Sequence, residues 1–176
     1  MVLEDNKHYS DNKGREYYID YILNKSSARQ WSLTDFLKYG YDTNTGIWNE
    51  CPGYAQGVTK DLTNFIRDYD NTFNQNLLPY APVMKKAVEA LPQYLFPNRK
   101  ITAFGDTDYA DIYTEAFSDM IRIAQKYNNK DEELEFTKMY KLFGIQDADN
   151  SASLKLPTEV SSFFVTKPLV LDPTIE

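Results

Sequence analysis

The chain is poor in the residues that most often carry covalent and metal chemistry. It holds one cysteine, Cys51, and one histidine, His8. A single thiol excludes an internal disulfide framework and a cysteine-based metal cluster. A cysteine nucleophile needs a base beside it, and His8 sits in a polar stretch near the amino terminus, so no Cys–His pair is indicated. So few nitrogen and sulfur ligands give no zinc set. Carboxylate-bound calcium is the metal the composition leaves open, and no cofactor is expected. No apolar run approaches the roughly 20 residues of a membrane-spanning helix. Met1-Val2-Leu3 passes directly into Glu4, Asp5, Asn6 and Lys7, without a signal-peptide pattern. Lys and Arg form no cluster and the net charge is −7, which argues against nucleic acid. The same charge disfavours an acidic polysaccharide unless basic groups gather locally.

Rings, by contrast, are plentiful: 14 Tyr and 10 Phe in 176 residues, a length that suits one domain with a real core. Such loading fits helices packed through large side chains, or a groove lined with stacking surfaces.

Periodicity is helical through most of the chain. Tyr18, Ile19, Ile22 and Leu23 predict a helix over 15–24. Ser32 reads as an N-cap with Asp35 as its capping-box partner, Phe36 and Leu37 as the buried side and Gly40 as the stop. A longer helix is predicted from Tyr54 to Asp70, with Tyr54, Val58, Leu62, Phe65, Ile66 and Tyr69 on one face and Tyr54 at its rim. Pro82 opens the next stripe (Met84, Ala87, Val88, Leu91), which Pro92 ends. Ile112 to Ala124 predicts a strong helix up to Lys126, and Asp131 caps another that Gly144 terminates. Beyond Gly144 the period disappears. Pro157, Pro168 and Pro173 enforce an extended path, with Val160–Val165 and Leu169–Leu171 as strand-like or strap-like segments. The expectation is an all-α unit over 1–144, five or six helices in antiparallel pairs, followed by an extended segment over 145–176.

Gly46-Ile47-Trp48-Asn49-Glu50-Cys51-Pro52-Gly53-Tyr54 is the stretch richest in chemistry. It places a ring surface, a carboxylate and a phenol at the start of a helix, the set that sugar-processing sites use for stacking, hydroxyl binding and proton transfer. The same residues also fit a Trp and a Tyr packed in a core beside an ordinary turn. A second loop, Phe104–Tyr109, leads to an alternate helix of the series. Antiparallel pairing therefore puts Trp48/Glu50/Tyr54 and Asp106/Asp108/Tyr109 at one end of the layer, as a candidate cleft. Asp106 and Asp108 serve equally well as helix caps.

These loops resemble those of the heparinase II/III-like polysaccharide lyases, in their helical (α/α) toroid domain. The residues that carry the likeness are Thr45 to Tyr54, then Leu95-Phe96-Pro97-Asn98-Arg99-Lys100, then Ala103-Phe104-Gly105-Asp106-Thr107. The likeness extends over 15–143. It implies an incomplete toroid whose extended tail leads to a β-sandwich, and β-elimination at a uronic acid of a heparin-, heparan- or alginate-like glycan. It further implies Tyr54 as the catalytic acid and often also the base, Trp48 as a stacking platform, and Glu50 as a sugar-hydroxyl contact. Asp106 and Tyr109 complete the expected substrate-binding set. The family's carboxylate-neutralising Asn or His and its β-sandwich His have no counterpart here, so the isolated chain is expected to be inactive or nearly so. Export to the periplasm or medium is implied for the whole lyase. The competing expectations are a glycan-binding helical domain without catalysis, a helical hydrolase using Glu50 and Asp106, and a purely structural module.

Overall fold

A computed structural model describes residues 11, 13–144 and 169–175. Six α-helices succeed one another: α1 Arg15–Asn24, α2 Leu33–Tyr39, α3 Pro52–Phe73, α4 Val83–Ala90, α5 Glu115–Lys126 and α6 Lys130–Gly144. Single 3₁₀ turns stand at Leu78–Tyr80 and Leu91–Tyr94. Among the described residues there are isolated bridges, Tyr41 with Trp48, Leu95 with Ile101 and Lys100 with Asp111, but no strand. The fold is all-α. His8 and the segment Val160–Val165 lie outside the described residues.

The capping signals of α2 act as predicted, with an added relay. Ser32 Oγ accepts from the Asp35 amide at 3.2 Å, while the Ser32 amide is taken by Ser26 Oγ at 2.8 Å. The Ser26 hydroxyl in turn donates to the Asp35 carboxylate, so the capping box closes through a third side chain. Gly40 ends the helix where the Trp48 ring lies against it: a Cβ there would meet Trp48 Cζ3 at 2.2 Å.

α5 packs against both α3 and α6 and is the central helix. Ala116, Phe117, Met120, Ile121 and Ala124 are buried on it, joined by Phe136 of α6 and by Val88 and Leu91. Leu169 and Leu171 pack on this cluster, and Gln125 Nε2 donates to the Val170 carbonyl at 2.7 Å. The described end of the tail is therefore a strap over α5 and α6 rather than a strand. A second cluster gathers Tyr41, Trp48, Ala55, Ile66, Met84 and Ala87, flanked by Phe36, Leu37, Val58 and Leu62.

Three boundaries differ from the sequence reading. α3 starts at Pro52, because proline is pre-set for a first helical position, and runs on to Phe73 before Asn74 adopts a left-handed stop. α5 starts at Glu115 rather than among residues 109–113. Ile112 is buried in the preceding extended segment, which pairs at Lys100 with Asp111, so its apolar character reflects packing rather than helix. The first turn of α6 is served by Asn129, whose side chain accepts from Glu132 N at 3.3 Å; Asp131 already lies inside the helix.

The most buried side of α3 is polar: Gln56, Thr59, Thr63, Arg67 and Asp70, with Ala55 and Ile66. Periodicity of apolar residues does not find this side: Phe65, placed on the apolar face, is exposed, while Tyr54 stands at the rim as expected. The polar side is satisfied from within. Tyr41 Oη and Thr59 Oγ1 are 3.2 Å apart, Arg67 pairs with fully buried Asp119 of α5, and Asp70 accepts from Tyr127 Oη at 2.7 Å.

Candidate functional site

The start of α3 lacks a capping side chain of its own. Its N-cap is Cys51, which makes no side-chain cap bond, and Pro52 follows. A helix start leaves amides without partners. Here one is satisfied from far along the chain, as Gly53 N donates to Thr107 Oγ1 at 2.9 Å. That bond seats the 104–109 loop on the helix start. Gly105 makes the approach feasible: it adopts φ +63°, and a Cβ on it would stand 3.0 Å from Cys51 Cβ.

With the loop seated, the Tyr54 hydroxyl donates to Asp106 Oδ2 at 2.7 Å. Tyr54 is 48% exposed, so its ring stands at the surface with its hydroxyl fixed. The hydrogen bond to Asp106 raises the phenol pKa first; the Asp106 charge adds to it, and the charges of Cys51 and Glu50 contribute less. The phenol is therefore held protonated. Cys51, buried beneath, has its thiol lowered from its ordinary value mainly by the Thr107 hydroxyl, with the amides of Tyr54, Asp106 and Gly53 assisting against burial.

Of the residues named from sequence, Tyr54 and Asp106 come together directly. Asp106 is thus neither a cap of α5 nor distant from α3. Asp108 is exposed on the same loop. Trp48 requires correction: it is 7% exposed, its ring packed on Tyr41 at 4.7 Å and Phe36 at 5.0 Å between centroids. A ring so covered offers no face to a sugar. Its indole N–H donates to Glu50 Oε2 at 3.1 Å, which turns the exposed Glu50 side chain toward the core edge. Tyr109 is exposed, lies beside Phe96 at 6.2 Å and accepts from Asn98 Nδ2 rather than joining Tyr54 and Asp106. Phe104, 61% exposed two residues before Asp106, is the ring surface that sequence reasoning passed over. Thr107 and Cys51 were likewise missed as the contact that assembles the site. Gly105 beside Thr107 was the available signal, because a glycine there marks close backbone approach.

Residues 44–166 match the family model described as the endo-acting ulvan lyase 2nd domain. The chain belongs to that family. The match spans both loops, with Trp48, Glu50, Tyr54, Asp106, Thr107 and Tyr109. Neither a curated protein nor a solved structure matches the chain. The relation to polysaccharide lyases is thereby established through an ulvan lyase domain, not through the heparinase II/III-like family.

In this ulvan lyase second-domain chain the Tyr54–Asp106 pair is a proton donor held by a carboxylate. Asp106 and Glu50 place negative charge around the phenol, which keeps it protonated and disfavours the phenolate.

Proposed function

We propose that the chain is part of a polysaccharide lyase that cleaves a uronate-containing glycan by β-elimination, with Tyr54 as the acid. The observation that carries this is the 2.7 Å bond from the Tyr54 hydroxyl to Asp106, made across the two loops at an exposed helix start. In the reaction a base removes the proton α to the sugar carboxylate and the bond to the glycosidic oxygen breaks. The electron pair of the lost proton becomes the new double bond. Tyr54 delivers its proton to the departing oxygen, and the phenolate left beside Asp106 is destabilised by that charge and recovers a proton readily. Asp106 is a positioning residue: it aims the phenol and keeps it protonated until the leaving group develops charge.

The acidic surroundings of Tyr54 do not suit it as the base, nor do they neutralise a substrate carboxylate. In this reading both tasks fall to residues beyond the Tyr54–Asp106–Glu50 group, and residues 1–176 by themselves turn over little or no substrate. The helical toroid, the β-sandwich partner and secretion or export belong to the same reading. The family name makes ulvan the first glycan to test, ahead of heparin, heparan sulfate and alginate. The acidic environment also favours one alternative, a glycan-binding helical domain without catalysis.

Tyr54→Phe in the full-length protein that contains these residues separates the two. The lyase reading expects loss of unsaturated product by two or more orders of magnitude with glycan affinity kept within a few-fold, since one proton-transfer group contributes about 10²–10⁴-fold. Full activity of the variant removes Tyr54 from the mechanism.

A further inference from the structure

Phe104 is the most exposed phenylalanine among the described residues, at 61%. Among those residues its ring joins neither core cluster and pairs with no other ring. One exposed ring on a loose loop would need no explanation. This loop is tied on both flanks. Before the ring, the Thr102 amide donates to the Tyr94 carbonyl at 2.7 Å and the Phe104 amide to the Thr102 carbonyl at 3.1 Å. After it, Gly105 lies against Cys51, Asp106 accepts from the Tyr54 hydroxyl, and Thr107 accepts from the Gly53 amide. The backbone that carries the ring is thereby held, and the ring is displayed rather than stowed.

Chain length sets its place. Phe104 comes two residues before Asp106, so their Cα atoms are at most about 7 Å apart. The ring therefore stands beside the Tyr54–Asp106 pair, where the sugar residues flanking a bond protonated by Tyr54 must lie. Tyr109, three residues after Asp106, turns instead to Phe96 and Asn98. The charges nearest the pair have the wrong sign for an anionic polymer, since Glu50, Asp106 and Asp108 are all exposed. A neutral ring adds affinity there without adding repulsion. Phenylalanine has no hydroxyl or N–H to offer. What it presents is an electron-rich face, which suits the apolar C–H face of a pyranose.

We infer that Phe104 is the stacking platform for a sugar residue next to the bond that Tyr54 protonates, the role that buried Trp48 does not take. The inference rests on the lyase reading and deepens it. Phe104 holds the pyranose by its apolar face and leaves the charged groups of the sugar turned away from the carboxylates. It supplies affinity and register and takes no part in proton transfer. Because the stack is the same before and during the reaction, it acts on KM rather than on kcat.

The test uses the full-length protein that contains these residues. Phe104→Ala, Phe104→Leu and Phe104→Trp are compared for KM and kcat on ulvan. Their calorimetric binding of ulvan oligosaccharides is measured in the Tyr54→Phe background, where the glycan stays uncut. The ring is exposed, so each variant is expected to keep its melting temperature within about 2 °C. Phe104→Ala is expected to weaken binding and raise KM about three- to tenfold, with kcat within about twofold. Leucine, apolar but not flat, loses most of the same affinity, and tryptophan keeps it. The loss persists from low to high salt, because no charge changes. Wild-type affinity and KM in Phe104→Ala or Phe104→Leu overturn the platform and leave the lyase reading standing, as does a loss confined to kcat. A Tyr54→Phe protein that still cleaves at the wild-type rate, or a wild type that binds no ulvan, overturns the platform together with the reading it rests on.

Discussion

Replacing Arg67 with methionine keeps most of the side-chain volume and removes one charge from the α3–α5 interface. Asp119 has no solvent exposure, and the Arg67 guanidinium pairs with it while also reaching Asn64 and Asp68. Thr63 Oγ1 remains to donate to Asp119 Oδ2 at 3.4 Å, and Arg122 adds a weaker attraction, so the stranded carboxylate keeps part of its support. Breaking a buried pair on one side costs about 3–5 kcal/mol, and the remaining partners place this case near the lower end. The pH dependence follows from Asp119. Burial raises its carboxyl from 3.8 to about 6, against the lowering effect of Arg67. An acid bound more tightly to its proton in the folded chain loses stability as pH rises through that window. Removing Arg67 pushes the folded value higher still. The deficit of the variant therefore grows as pH rises past about 6. It shrinks toward about 1 kcal/mol, the loss of the remaining hydrogen bonds, once Asp119 is protonated in both proteins. Urea unfolding at a series of pH values reads this directly. Arg67→Met combined with Asp119→Leu removes both charges and is expected to recover most of the loss at neutral pH. A single variant within about 1 kcal/mol of wild type at neutral pH refutes the reasoning, as does a double variant no better than the single; about 1 kcal/mol is the size of one ordinary hydrogen bond.

Two further outcomes follow. Asp106→Asn removes the group that holds the Tyr54 phenol above its ordinary pKa, so the alkaline loss of lyase activity in the full-length protein moves to lower pH; an unmoved alkaline limb would separate Asp106 from the acid. Gly40→Ala drives a methyl into the Trp48 ring, where Cβ would meet Cζ3 at 2.2 Å. It is expected to cost about 1–3 kcal/mol by urea titration, and a neutral effect would mean that the α2–Trp48 contact is loose.

Much of the fold was legible because its signals are local. α1 appears at 15–24 from its stripe alone, and α2 lies between Ser32 and Gly40 as its caps dictate. The buried face of α3 was not legible, because Arg67, Asp70 and Thr63 are buried through partners on α5 and its following turn that no window of α3 contains. Ile112 and Tyr113 misled in the opposite sense, as apolar residues of an extended approach that join the helical period by coincidence of spacing. At the site, helix alternation led only to the expectation that the two clusters share one end of the layer; the loop carrying Asp106 ends before α5 begins, and what seats it beside Tyr54 is a single amide of α3 that meets Thr107. Trp48 shows the limit of composition: a ring beside a carboxylate fits a sugar platform and a core anchor equally, and only burial separates them.

The central claim is elimination with Tyr54 as the acid. The most direct measurement is the ultraviolet absorbance of unsaturated uronate ends during incubation of ulvan with the full-length protein that contains these residues, wild type and Tyr54→Phe side by side. The account predicts a rising absorbance for wild type and almost none for the variant, with both still binding ulvan. Equal rates in the two proteins, or cleavage of the polymer without the unsaturated signal, would contradict it.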